Sequence, residues 1–342
     1  MKNLRILLVL VFLAGTVNTH GQRGGESVFG LLNLTQSARV ASLGGNQVGL
    51  HGHDLSMLMH NPGMLDSTLS QQISMSYVPY MAGINYGFSG AAYSFEGVGN
   101  FAIGFHHVGY GSFVAADETG LITGSFSAGE TVVQLTYSRQ LSPHWSAGIS
   151  IKPVFSRIES YNSWGIASDI GFFYRHRDGL LTGGAVLRNY GHQIASYSGG
   201  QTEPIASDLQ FGIAQKLEHA PFRFSLTVQD LLGGTLQYSL RDQEEHGLVF
   251  GERGTGDNFV EKAARHLTVG VEFVPSDNFY VAAGMNPRRR QELKVESKTS
   301  TVGFSWGFGI RISKFNFSYG SARYHLSGTS NHFSITTNLT AF

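Results

Sequence analysis

The chain has 342 residues, a formal net charge of zero, 14% charged residues, 44 glycines and no cysteine. Balanced charge offers no field for nucleic acid, and the missing cysteine excludes disulfides, thiolate metal sites, a cysteine nucleophile and a lipoprotein anchor. Low charge with 12% aromatics suits strands that meet lipid, since a soluble domain carries about a quarter charged residues.

Lys2 and Arg5 precede an apolar run, Ile6 to Leu13, that is too short to span a bilayer. Thr19 and Gly21 fit a cleavage before Gln22. The pattern predicts a cleaved secretory signal peptide over 1–21. No later stretch approaches the ~20 continuous apolar residues a spanning helix needs. Any membrane crossing is therefore made by strands.

Residues 22–70 are mixed in character, rich in Gly, Leu and His, and contain Asn61-Pro62-Gly63. They are expected to form an N-terminal plug or hatch inside a barrel, with short helical pieces over Ala38–Leu43 and Leu55–Met59. Residues 71–342 are expected to be the barrel itself. There, apolar residues alternate with small or polar ones, as in Phe304, Trp306, Phe308, Ile310 and Ile312 against Ser305, Gly307, Gly309 and Arg311. Successive strand side chains face opposite ways, so one face is oily and the other polar.

Strands are expected near Ile73–Val78, Tyr86–Phe95, Asn100–Gly109, Val132–Leu141, Trp145–Phe155, Ile166–Tyr174 and Leu181–Arg188. Seven more follow near Leu209–Lys216, Phe222–Gln229, Leu267–Val274, Phe279–Met285, Val302–Ile312, Phe315–Gly320 and Phe333–Thr340. About fourteen strands, an even number, fits a bacterial outer-membrane barrel. With both termini in the periplasm, the even-numbered connections should be short. Glu96–Gly99, Ser142–His144, His176–Leu180, Leu217–Pro221, Pro275–Asn278 and Ser313–Lys314 are. Most odd-numbered ones are long, including Tyr110–Thr131, Tyr190–Ser207, Asp230–His266, Asn286–Thr301 and Ser321–His332. The fold class is thus an all-β, transmembrane antiparallel barrel of the outer membrane.

Few residues suggest chemistry. His51, His53, Asp54 and His60 lie close in sequence, but nothing supplies the outer partners that orient metal ligands. His106 and His107 fall on opposite faces of a strand and cannot chelate together. Gly97-Val98-Gly99 precedes a strand, without the helix N-terminus that holds a pyrophosphate. Asp169 and Glu272 face inward, as lumen charges commonly do. No catalytic set, metal or cofactor is expected, and the protein reads as non-enzymatic. The long connections hold the candidate partner-binding residues: Leu231, Leu232, Leu236, Tyr238 and Phe250 in one, and Arg288, Arg289 and Arg290 in another. The arginines read either as a solvated loop or as an external basic patch for lipopolysaccharide or an acidic partner.

Four stretches carry a family resemblance: Phe29-Gly-Leu-Leu-Asn-Leu-Thr-Gln-Ser-Ala-Arg39, Ala41-Ser-Leu-Gly-Gly-Asn46, Met59-His-Asn-Pro-Gly-Met-Leu65 and Ser76-Tyr-Val-Pro-Tyr-Met-Ala-Gly-Ile-Asn-Tyr86. They resemble the PorV/FadL-like outer-membrane proteins of the type IX secretion system. The resemblance implies a fourteen-stranded barrel whose N-terminal hatch carries Asn61, Pro62 and Gly63. It implies work in a surface attachment complex, holding PorZ directly while PorU and PorV sort cargo and join it to lipopolysaccharide. Phe342 resembles the terminal aromatic read by barrel-insertion machinery, although its parity differs from that of Phe333, Ile335 and Leu339. The alternative expectation is a FadL-like transporter of small hydrophobic compounds, which needs an apolar lumen pocket and an exit in the wall.

Overall fold

The computed structural model describes residues 27–52, 54–232, 263–292, 301–325 and 328–339. The expected signal peptide, Leu236, Tyr238, Phe250 and Phe342 lie outside the described residues.

Fourteen strands form one closed, wholly antiparallel barrel, each bonded to its sequence neighbours, with the first closing on the last. They are β1 (Gln72–Pro79), β2 (Asn85–Phe95), β3 (Gly99–Ala116), β4 (Ile122–Gln140), β5 (Trp145–Ile158), β6 (Tyr161–Arg175) and β7 (Leu181–Ala195). The second half comprises β8 (Asp208–Lys216), β9 (Phe222–Val228), β10 (Leu267–Ser276), β11 (Phe279–Met285), β12 (Phe304–Ile312), β13 (Phe315–His325) and β14 (Gly328–Asn338). Closure leaves no sheet edge at membrane depth, which lets strands sit in lipid.

The pleat sorts the side chains. On β12, Trp306 is 55% exposed while its neighbour Ser305 is 7% exposed. The other outward residues of that strand are Phe304, Phe308, Ile310 and Ile312, all exposed. This apolar exterior is the surface expected against lipid. At the end with the short turns, rings pack in tilted and T-shaped pairs: Tyr93, Phe95, Phe101 and Tyr137 follow one another at 4.7, 5.6 and 5.0 Å. Trp145 and Tyr174 sit 4.9 Å apart beside them. Such rings prefer the membrane–water boundary, and short turns mark the periplasmic end.

All fourteen strand positions match the alternation, but several strands run longer than expected. Tyr110–Thr131 is not a loop: β3 continues to Ala116 and β4 begins at Ile122. Likewise β5 and β6 meet at a turn of two residues, and β7 runs to Ala195. β13 and β14 reach His325 and Gly328. Past the lipid belt the outward residues need not be apolar, so the alternation fades while the backbone pairing continues.

Residues 28–71 lie against the inward-facing side chains rather than outside the sheet. Their buried residues form two apolar clusters with the wall. One joins Val40, Leu43, Leu55 and Met64 to Phe88 and Phe173. The other joins Phe29, Leu31 and Leu32 to Val78, Val108 and Val132. Ala38–Ser42 is an α-helix, α1, while Leu55–Met59 is a 3-10 helix. A six-residue helix, α2 (Pro287–Glu292), follows β11.

Candidate functional site: the packed lumen

The lumen is where the chain gathers its buried polar groups. Helix α1 is opened by Ser37, whose Oγ accepts from the Val40 N–H, satisfying one of the free donors of a helix start. The Ala38 N–H donates to Ser334 Oγ (3.1 Å) on β14. On β12, Ser305 Oγ donates to the Ser42 carbonyl (2.9 Å) and accepts from the Gly44 N–H (2.9 Å).

Arg39 leaves this helix toward β10. Its guanidinium takes both oxygens of Glu272, Nε to Oε1 at 2.7 Å and Nη2 to Oε2 at 2.9 Å. Arg223 from β9 adds a third bond, Nη1 to Oε2, at 3.0 Å. Arg39 also donates to the His51 carbonyl (3.2 Å) and lies 5.4 Å from the centre of the Tyr280 ring. Burial disfavours the Arg39 charge, but the Glu272 carboxylate outweighs it, so the guanidinium stays cationic. A two-pronged pair fixes direction as well as charge.

The corner Asn61-Pro62-Gly63 lies flat on β5 and β6. The Asn61 amide donates to the Val48 carbonyl (2.9 Å) and to the Phe172 carbonyl in the wall (3.0 Å). Its oxygen accepts from the Gly63 N–H at 2.9 Å. Ser146 Oγ donates to the Gly63 carbonyl at 2.6 Å, and Ser138 Oγ to that of Leu65. The wall makes room with inward glycines. A Cβ at Gly148 would strike the Pro62 carbonyl, one at Gly171 the Asn61 side chain, and one at Gly184 the Val48 carbonyl.

Two further networks hold the segment near the middle of the bore. Asn46 donates to Gln210 (2.9 Å) and Gln229 (2.7 Å) and meets His60 Nδ1 at 3.0 Å. Burial, with Arg188 and Lys152 nearby, pushes the His60 imidazole well below its usual value, so the ring is neutral. Nearby, between β5 and β6, Lys152 pairs with Asp169 at 2.6 Å. A bulge in β7 sets Arg188 and Asn189 together against Asp169 on β6, and both side chains turn inward. The Asn189 N–H donates to Asp169 (2.7 Å), and its amide donates to Asn33 of the segment (3.1 Å). Asp66 holds the periplasmic end. Burial alone would raise its carboxyl, but His51, Thr68 and Arg175 hold it well below the usual carboxylate range.

Several spaces lie in and around this packing. A polar chamber of about 300 Å³ opens among Asn46, His60, Arg188, Asp208, Asp230 and Arg289. A second space, about 850 Å³, lies on the outer wall between His107, Gly109, Gly129, Phe155 and Trp164. It sits beside the place where β3 slips register between Gly109 and Ser112.

The fold is that of TodX. The chain superposes on the Pseudomonas putida toluene transporter TodX with a TM-score of 0.52 at 11% identity, over 90% of this chain and 97% of that one. It superposes on the CymD monoaromatic hydrocarbon channel with a TM-score of 0.50 at 14% identity, over 91% and 97%. No protein-family model and no curated protein matches the sequence. The likeness therefore concerns architecture alone: a closed fourteen-stranded barrel of the kind found in the outer membrane.

Around this TodX-like barrel, the candidate residues are dispersed. Arg288 pairs with Asp230 at 2.5 Å. Arg289 donates to the Gly44 carbonyl (3.5 Å), and Arg290 lies 5.5 Å from the Phe304 ring. All three are half-buried: Arg288 and Arg289 reach Asp230 and the segment, and Arg290 lies on an outward ring. Leu231 is exposed, and Leu232 is half-buried beside it. His51 bonds Asp66 and His60 bonds Asn46, so the histidines separate, and no metal-sized cluster occurs among the described residues. Sequence reasoning missed Lys152 and assigned Arg39 no task. A lysine at an inward position, diagonal to Asp169 across β5 and β6, was the available signal.

Proposed function

We propose that the chain is a FadL-like outer-membrane transporter of small hydrophobic compounds, with residues 28–71 acting as a plug that closes the bore. The observation that carries this reading is the likeness to TodX and CymD along nearly the whole chain. The wall groove beside the β3 register slip adds to it, because it supplies the lateral space such a path needs. The polar lumen makes the resting state closed: an apolar solute gains little from Asn46, Gln210 and Lys152. The test is uptake of labelled toluene by cells that carry this barrel as their sole channel of the type. Uptake above that of empty-vector cells supports transport, and equal uptake refutes it.

A second reading has its own support in the dense clamp on the segment and the exposed Leu231 at the rim. In it the barrel is a PorQ-like anchor of the type IX secretion system that holds PorZ at the surface, with PorU and PorV in the same complex and lipopolysaccharide around it. Replacing 230–266 and 286–301 with short Gly-Ser turns, singly and together, tests it. Loss of surface PorZ supports anchoring, and full retention after both replacements rejects it.

A further inference from the structure

Three neighbouring strands bring an amine, a carboxyl and a carboxamide together in the wall. Lys152 lies on β5, Asp169 on β6 and Asn189 on β7, and all three are buried: 0, 0 and 1% exposed. Lys152 Nζ is 2.6 Å from Asp169 Oδ1 and 2.5 Å from Asn189 Oδ1. A lysine can only donate, so it is the carbonyl oxygen of the asparagine that faces it. The amide carbon is one C=O bond beyond that oxygen, which puts it no more than about 3.7 Å from Nζ. Reacting groups are poised for attack at about 3–3.5 Å.

The backbone departs from regular pairing to make this contact. Asp169 is opposite Ser150 and Lys152 is opposite Ala167, so the lysine reaches diagonally across β6. The β7 bulge turns Asn189 inward, and Asn189 takes φ +54. Few residues other than glycine and asparagine tolerate that conformation, and positions held in it gather at sites of chemistry. The side chain is fixed as well as placed. The Asn189 N–H donates to Asp169 Oδ1 at 2.7 Å, and the amide nitrogen donates to Asn33 at 3.1 Å. Ala167, and Val154 two residues along from Lys152, belong to the apolar cluster that holds Leu31 and Leu32. Asp169 Oδ2 has no hydrogen-bond partner, so one oxygen of the carboxyl is free to carry a proton.

We propose that Lys152 and Asn189 join through their side chains in an amide bond, with Asp169 carrying the protons. Away from water a proton passes readily within an ion pair, because two neutral groups need no solvation. Lys152 gives its proton to Asp169, and the free amine attacks Asn189 Cγ, lysine amines being competent nucleophiles once neutral. The Nζ–Cγ bond forms and the Cγ–Nδ2 bond breaks. Asp169 passes the two protons that Lys152 sheds to the departing nitrogen, which leaves as ammonium, and the carboxylate is restored. Nothing is oxidised or reduced, and no co-reactant is needed. The bond staples β5 to β7 across β6, beside the place where Asn33 of the segment rests on the wall. The proposal does not depend on transport or anchoring, so each can fail without the others.

The test is tryptic digestion of the full folded chain, followed by mass spectrometry. Lys152 precedes Pro153 and so falls within the peptide Gln140–Arg157, while Asn189 opens the peptide Asn189–Lys216. The two should be recovered as one species, lighter than their sum by one ammonia. Asp169→Asn should leave them separate and at full mass, with heat-modifiable mobility reporting a closed barrel. Asn189→Ala should do the same. Asn189→Asp offers the same acyl carbon, so it should yield the identical joined species by loss of water. The masses from the parent decide the bond even where a variant does not fold. Both peptides at full mass from the folded parent would overturn the proposal, and a joined pair from folded Asp169→Asn would overturn the role given to Asp169.

Discussion

Arg39 and Glu272, 233 positions apart in the chain, meet through two parallel bonds of 2.7 and 2.9 Å. One residue belongs to the segment in the bore and the other to the wall, so the pair ties the lumen filling to the barrel. Glu272 is 1% exposed. A buried carboxylate that loses a partner keeps its desolvation cost, and breaking such a pair costs about 3–5 kcal/mol.

Arg39→Ala should therefore release the segment while leaving the barrel intact. Arg223 still holds one Glu272 oxygen, which places the cost near the lower end, about 3 kcal/mol. Limited proteolysis should cut within 28–71 in the variant and spare the parent. Unchanged protection would show that the pair does not hold the segment.

The glycine contacts allow a matched comparison. A Cβ at Gly184 would strike the Val48 carbonyl, whereas one at Gly183 would meet nothing nearer than the Gly212 carbonyl at 3.5 Å. Gly184→Ala should displace the segment and lower the melting temperature by several degrees, and Gly183→Ala should change little. Equal effects would remove the claim that the chain rests on the wall there.

Asn61→Ala removes three bonds, to Val48, Phe172 and Gly63. At about 1 kcal/mol net for each bond, roughly 3 kcal/mol is lost. Hydrogen exchange should rise at the amides of Gly63, Met64 and Leu65. Asn61→Asp keeps the cap to Gly63 but sets a buried carboxylate oxygen against the Val48 and Phe172 carbonyls, so it should lose at least as much as alanine.

Acid should loosen the segment through two groups. His60 has its value pushed below the ordinary 6.5, so below that pH the unfolded chain binds a proton that the folded chain refuses. Stability is then fully present above 6.5 and declines as pH falls. Asp66 is held below its ordinary 3.8, so its contribution is lost in turn as pH falls below that value. Melting temperatures across this range should decline in the two steps. His60→Gln should shrink the first and leave the second. A parent profile without the first step would contradict a buried neutral ring.

The strands were legible because lipid imposes a strict rule on outward side chains. Phe304, Trp306, Phe308 and Ile310 could be read without knowing anything about the interior. The lumen follows no such rule. Lys152 and Asp169 read singly as ordinary inward charges, and only the β7 bulge brings Asn189 and Arg188 to them. Arg39 lay inside the motif Ser37-Ala38-Arg39, yet its partner is on a strand far along the chain. The lengths of β3 and β4 were hidden because Ser125, Ser127 and Gly129 carry no alternation beyond the lipid belt. The glycines beneath Val48 and Pro62 looked like the many others in a chain with 44 of them.

The most direct measurement is single-channel conductance in planar bilayers, comparing the full chain with one lacking residues 28–71 but keeping residues 1–27 and all fourteen strands. With the segment seated in the bore, the full chain should be silent and the shortened one should pass ions in large, steady steps. Steps of equal size from both proteins would mean that the bore is open with the segment in place, and the packed lumen would not be the closed state of this barrel.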